Sequence, residues 1–145
     1  MGLVYHPVAG KLEIHCFNAS GLQGVNVLDR LSDPFVKIKV WRTMDSPKSG
    51  KKKTTPTWKF NTQIIWESLA PVWNEVFIVE DVMEEDLKKM SVQMVVHDAS
   101  RVPGKSRALA QIRIGPDMAY DRFHWEEMMA NPGELIKMTH ALSQI

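Results

Sequence analysis

The sequence has little that would mark an extracellular, membrane-spanning or strongly charged protein. Its single cysteine, Cys16, cannot form an internal disulfide, which favours a reducing compartment. The longest apolar runs fall far short of the ~20 residues that cross a bilayer, and no charged-then-apolar leader opens the chain. Because 18 basic residues nearly balance 17 acidic ones, any electrostatic function must come from local clusters.

The sequence motifs of common enzyme classes are also missing. There is no GxSxG, no HExxH and no phosphate-binding glycine loop, and the five histidines are scattered without a zinc-ligand spacing. We therefore expect no enzymatic activity and no cofactor. The near-neutral net charge of +1 gives no reason to expect a nucleic-acid partner.

What the 145 residues do contain is a series of short alternating patterns, which predict strands in one domain. Leu12, Ile14 and Cys16 alternate with polar or half-polar neighbours, and glycines and prolines separate one pattern from the next. Short strands at this spacing are typical of an antiparallel sandwich. The other predicted strands are 36–41, 62–66, 75–79, 91–97, 109–114 and 135–140.

One longer segment predicts a helix. Residues 118–130 lack glycine and proline, and Asn131-Pro132-Gly133 then ends the pattern. Residues 86–90 predict one further helical turn. No repeat or long linker divides the chain.

Charge is concentrated in two runs. Residues 48–59 contain five lysines and no acid, whereas residues 75–86 contain six acids and no base. Each run is compatible with a solvated loop or edge strand, and the lysine run is equally compatible with a site for anionic lipid or an acidic partner.

Several motifs together resemble the C2 domain family. These are AGKL at 9–12, SDPFVK at 32–37, LAPVWNE at 69–75, HWEEM at 124–128, NP at 131–132 and HAL at 140–142. The last three are similar to the extra helix and final strand of the second, membrane-distal C2 domain of synaptotagmins. The resemblance implies an all-β, eight-stranded antiparallel C2 sandwich with one helix between the last two strands and a shortened first strand. We expect residues 1–145 to be a single C2 domain cut from a longer multi-C2 protein.

The resemblance also implies that the family's calcium site has been lost. Calcium takes six to eight oxygen ligands, and the family gathers about five aspartates from two loops. Here Asp33 and Asp98 match two of them, an earlier one falls near Asn26 with Asp29 as a substitute, and the others fall on Ser100 and on Ser106 or Arg107. The vestigial calcium-loop residues are Asn26, Asp29, Asp33 and Asp98. We expect no bound metal, and a guanidinium from Arg30, Arg101 or Arg107 within about 4 Å of Asp33 or Asp98.

Membrane contact in this family uses loop tips and a lysine-rich strand. The predicted tips are Val27, Leu28 and Val102. The aligned strand, 60–66, has almost no lysine, while the KKKTT run precedes it, so the register of residues 44–62 stays open. The predicted lipid-binding residues are Lys48, Lys51, Lys52, Lys53, Lys59, Arg30, Arg101, Lys105 and Arg107.

The sequence therefore favours a calcium-independent C2 module of a synaptotagmin-like trafficking and exocytosis protein. We expect it to bind acidic phospholipid weakly, or protein partners, at the cytoplasmic face of membranes. One alternative is a pure protein-interaction domain that uses residues 61–66, where Ile64, Ile65 and Trp66 suggest an exposed apolar strip, or the helix at 118–130. A second alternative is residual low-affinity, calcium-dependent phospholipid binding.

Overall fold

The computed structural model describes residues 1–22, 32–42, 56–99, 105–117 and 121–145, and these form two antiparallel sheets with one α-helix. A 3₁₀ turn, Glu84–Lys88, and the helix α1, Arg122–Ala130, are the helical elements of this part of the chain. The strands are β1 Gly2–His6, β2 Lys11–Asn18, β3 Pro34–Trp41, β4 Trp58–Asn61, β5 Val72–Val79, β6 Ser91–Asp98, β7 Arg107–Ile114, β8 Ile136–Lys137 and β9 Ser143–Gln144.

The strand order confirms the predicted all-β sandwich. Sheet one has the order β5-β2-β1-β8, and sheet two has the order β4-β3-β6-β7-β9. The described residues form nine strands rather than the predicted eight, because two short strands, which pair with different sheets, replace the last predicted one. The first strand spans five residues and pairs with β2 along its whole length.

Alternation places the core between the sheets. Leu12, Ile14 and Cys16 of β2 point inward and are buried, as are Ile38 and Val40 of β3. Fully burying one such aliphatic side chain contributes about 1.5–3 kcal/mol. The same alternation turns the residues between them toward the outer faces of the sheets.

The strand predicted at 62–66 is wrong in position, because the strand of this region ends at Asn61. The hydroxyl of Thr62 accepts the backbone N–H of Val36 at 2.8 Å, so a side-chain oxygen replaces the next backbone acceptor of the ladder. Beyond the strand, Ile65 still donates its N–H to the carbonyl of Pro34 in β3 at 3.0 Å. Ile64 and Trp66 are exposed by 38% and 55%, whereas Ile65 is partly buried against the core, so the apolar strip expected there is found only in part.

The helix and the final strand are shorter than predicted. The helix α1 begins at Arg122, and residues 118–120 lie outside the described part of the chain. The strand predicted at 135–140 continues only to Lys137. Met138 still exchanges backbone hydrogen bonds with Met1, and His140 contacts Asp121 and His124. The helical turn predicted at 86–90 is found two residues earlier.

Candidate functional site

The outer face of sheet two presents lysines from neighbouring strands. Lys37 and Lys39 alternate with buried Val36, Ile38 and Val40, so both lysines point to the same outer face. Lys59 of β4 lies directly opposite Lys39 in the antiparallel register. Like charges placed opposite each other destabilise a sheet, so this arrangement favours an external anion that would neutralise them.

Sheet two is strongly unbalanced in charge. Its five strands carry five permanently basic side chains and a single carboxylate, that of Asp98, which is a net charge of +4. Lys37, Lys39 and Lys59 form no ion pair within the part of the chain that the structure describes. The basic residues are Lys37, Lys39, Lys59, Arg107 and Arg113. We call the cluster of Lys37, Lys39 and Lys59 the basic face.

His97 responds to this positive potential. Burial lowers the pKa of its imidazole, and the charges of Lys37 and Lys39 lower the pKa further. The ring stacks on Phe35 with a centroid separation of 5.4 Å, and the ammonium of Lys37 lies 5.9 Å from the Phe35 ring centre. Neutral aromatic rings therefore lie beside the lysines. None of these neighbours is a carboxylate that would compete with an anionic ligand for the lysines.

Arginines stack on tryptophans at the opposite end of the same sheet. The guanidinium of Arg113 lies 4.3 Å from the Trp41 ring centre and donates to the hydroxyl of Ser91 at 3.2 Å. Arg42 lies 4.9 Å from the Trp58 ring and donates to the carbonyl of Asp81 at 2.6 Å. Because these guanidiniums already have partners, they are less available for a ligand than the lysines are.

The two aspartates matched to the family's calcium site do come together. The backbone N–H of Asp33 donates to Oδ1 of Asp98 at 2.7 Å, and the N–H of Glu67 donates to Oδ1 of Asp33 at 2.8 Å. The N–H of Ala99 also donates to the carbonyl of Asp33 at 2.9 Å. Each carboxylate thus forms a hydrogen bond to a backbone N–H of another segment.

Among the described residues, these two carboxylates do not by themselves form a calcium site. Within the described ranges, no group of three or more His, Cys, Asp or Glu side chains could hold a metal. Asp33 and Asp98 each use one oxygen for a backbone N–H, whereas calcium takes six to eight oxygen ligands. Ser106 lies beside Nδ1 of His97, with its hydroxyl 3.1 Å away.

The arginine expected beside these aspartates is not found in the described part of the chain. Arg107 pairs with Asp98 through the strand register, yet no ion pair joins its guanidinium to Asp98 or to Asp33. Arg30 and Arg101, the other two candidates, lie outside the described residues, so the expectation stays a prediction for them. Arg107 and Lys105 are exposed at this end of the sandwich.

Several predicted site residues lie outside the described residues. They are Asn26, Val27, Leu28, Asp29, Arg30, Lys48, Lys51, Lys52, Lys53, Arg101 and Val102. Of the predicted lipid-binding set, Lys59, Lys105 and Arg107 are described, and of these Lys59 lies on the basic face. Sequence reasoning missed Lys37 and Lys39, although the alternation of residues 36–40 already assigned both to one outer face.

No helix in the described ranges is both long enough and apolar enough to cross a bilayer.

Comparison with known proteins gives a consistent result. The model of the C2 domain family matches residues 10–128. Synaptotagmin-A of Diplobatis ommata is 38% identical over 141 residues, and human Synaptotagmin-2 is 35% identical over 141 residues. Both alignments cover 97% of this chain, which spans only 30% of either relative's length.

Solved structures show the same fold at lower identity. A C2 domain of RIM from Drosophila superimposes with a TM-score of 0.61 at 17% identity, and the match covers 78% of this chain and 80% of that one. The third C2 domain of the KIAA1228 protein also gives a TM-score of 0.61, at 14% identity, and covers 96% of this chain and 84% of that one.

Proposed function

The chain belongs to the C2 domain family, and on this premise we propose that it is a calcium-independent module that binds acidic phospholipid surfaces weakly. The observation that carries the proposal is the basic face, where Lys37, Lys39 and Lys59 form no ion pair within the described residues. The setting we propose is membrane trafficking and exocytosis, with the domain peripheral to the cytoplasmic face of a membrane and without enzymatic activity.

The expected affinity is low. An anionic leaflet attracts each nearby lysine by about 1 kcal/mol, so three lysines supply about 3 kcal/mol. A millimolar dissociation constant corresponds to about 4 kcal/mol, so the basic face alone holds the domain only transiently. A longer residence time of the domain on the membrane requires a second contact or a neighbouring domain.

We propose the loop end of the sandwich as this second contact. Lys105 and Arg107 are exposed there, and we propose that Arg30 and Arg101, which lie outside the described residues, add to this contact. The apolar tips Val27, Leu28 and Val102 would enter the headgroup region, and the lysine run that includes Lys48 and Lys51–Lys53 would add long-range attraction.

Calcium independence is supported by the way in which the two matched aspartates are used. Both carboxylates accept hydrogen bonds from backbone N–H groups of neighbouring loops, so residues 33, 67 and 98 are joined by hydrogen bonds of the protein itself. The third-loop segment from Asp98 to Arg107 has a net charge of +2, which opposes cation binding.

A protein-interaction function is the second candidate. Trp66 is 55% exposed and Val72 is 56% exposed, and Ile64 is partly exposed in the same connection. Contiguous apolar surface of this kind is typical of protein contacts.

Vesicle co-sedimentation distinguishes these functions. We expect binding to vesicles that contain phosphatidylserine, no binding to phosphatidylcholine alone, and the same bound fraction in calcium and in chelator. Binding only in calcium would establish the calcium-dependent alternative. Absence of binding to every acidic vesicle would leave the protein-interaction function.

A further inference from the structure

A cavity of about 350 Å³ lies between the two sheets at the loop end of the sandwich. Interiors of proteins are close-packed and hold few voids larger than a water molecule. Ligand pockets begin at about 300 Å³, so this space is large enough for a small ligand. Its buried lining comes from both sheets and is apolar, and includes Cys16, Leu22, Val36, Trp73, Met94 and Ala110.

The exposed part of the lining is mixed in character, since the apolar Ala141 and Ile145 are exposed together with polar residues. Asn18, Ser20, Thr139 and Gln144 are exposed and polar. Among the lining residues that the structure describes, Arg107 is the only one whose side chain carries a permanent charge. The cavity therefore has an apolar interior and an entrance with one cationic side chain.

The cavity interior is chemically inert. Burial raises the pKa of the Cys16 thiol to about 12, so the sulfur is protonated and does not act as a nucleophile. Met94 supplies a flexible thioether, which adapts its shape to an apolar guest. A ligand here would be held by burial of its hydrocarbon and not by a covalent bond.

We propose that this cavity binds one aliphatic chain with an anionic head, a medium-chain fatty acid, whose carboxylate pairs with Arg107. The volume admits one chain and not the two chains of a phospholipid. A guanidinium at the entrance would favour a carboxylate over a neutral head, since hydrogen bonds between charged groups are roughly twice as strong as neutral ones. The ligand enters from solution, so this binding is independent of the proposed attachment to membranes.

The test uses decanoate and decanol as probes below their aggregation limits. In protein labelled at its methionine methyl groups, we expect decanoate to shift the NMR signal of Met94 and to leave that of Met83 unchanged, because Met83 is 68% exposed and lies outside the lining. We also expect decanoate to raise the melting temperature, since a ligand specific for the native state stabilises it. An unchanged Met94 signal together with an unchanged melting temperature would overturn the proposal.

Variants test separately the cationic entrance and the apolar interior of the cavity. Arg107→Gln should weaken decanoate binding about tenfold and leave decanol binding unchanged, whereas Lys89→Gln, which removes the same charge outside the cavity and outside the basic face, should change neither. Ala110→Leu fills the cavity and should abolish binding of both probes. Equal loss of decanoate binding in Lys89→Gln, or full binding by a folded Ala110→Leu protein, would contradict this site. Wild-type protein that binds acidic vesicles but not decanoate would refute this inference alone.

Discussion

The imidazoles of His124 and His140 are hydrogen-bonded to each other, with Nδ1 of His124 2.8 Å from Nε2 of His140. His124 Nε2 lies 2.7 Å from the carbonyl of Ile136, and His140 Nδ1 lies 2.7 Å from Oδ2 of Asp121. The carbonyl only accepts, so Nε2 of His124 carries a proton and donates to it. Burial lowers the pKa of His124, so its neutral ring accepts through Nδ1 from His140.

Removal of His140 should destabilise the domain. His140→Ala leaves Nδ1 of the fully buried His124 without its donor, and an unsatisfied buried polar group costs about 1–3 kcal/mol. Urea denaturation should show that loss in the free energy of unfolding. The control is His6→Ala, which removes a partly exposed partner of Glu13 and should cost no more than about 1 kcal/mol. Equal effects of the two substitutions would contradict the role of the pair.

Stability should fall as the pH drops below about 6.5, the ordinary histidine pKa. Burial lowers the pKa of His124 in the folded protein, so the unfolded chain takes up a proton that the native state resists. The stabilisation is complete above the unfolded pKa and is lost as the pH falls through the folded pKa. The slope is at most about 1.4 kcal/mol per pH unit for one group. His124→Gln should flatten the profile of unfolding free energy between pH 7 and pH 5, and an unchanged slope would contradict this assignment.

Thr62 bonds to β3 just beyond the end of β4. Its replacement should lower the free energy of unfolding. Thr62→Val removes the hydroxyl that accepts the buried N–H of Val36, and we expect a loss of about 1–3 kcal/mol in unfolding free energy. Thr57→Val is the matched control, because the Thr57 hydroxyl accepts the N–H of Arg42 at 3.2 Å in an exposed position. A Thr57→Val protein as unstable as Thr62→Val would refute the special role of Thr62.

Calcium should not stabilise the domain. At 1 mM calcium, a site with a dissociation constant of about 10 µM would add about 2.7 kcal/mol to the free energy of unfolding. We expect no such rise, because Asp33 and Asp98 already accept backbone N–H groups. Melting curves in 1 mM calcium and in chelator should coincide. A clear rise in the melting temperature with calcium would contradict the proposed calcium independence.

Much of the fold follows from local patterns, whereas the contacts that end its elements do not. The alternation in β2 and β3 identified those strands, since a period of two is a local property of the chain. The strand at 62–66 was misplaced because the bond between Thr62 and Val36 joins residues 26 positions apart. His140 left its predicted strand for a similar reason, since its partners are fixed only when α1 packs.

The candidate site was predictable in part. The resemblance placed Asp33 and Asp98 in one site, but it did not show that both carboxylates would accept hydrogen bonds from backbone N–H groups. Lys37 and Lys39 could have been assigned to one face from alternation alone. Their position opposite Lys59 depends on the pairing of β3 with β4. This pairing could not be predicted, because the register of residues 44–62 was ambiguous in the sequence.

The most direct test of the proposed function is to neutralise the basic face and measure vesicle binding. The triple variant Lys37→Gln, Lys39→Gln, Lys59→Gln should lose binding to phosphatidylserine vesicles by on the order of 100-fold, at about 1 kcal/mol for each lysine. The control, Lys11→Gln, Lys88→Gln, Lys89→Gln, removes the same charge from positions outside sheet two and should bind nearly as well as the wild type. Undiminished binding of the first variant, or equal loss in both, would contradict a membrane site on the basic face.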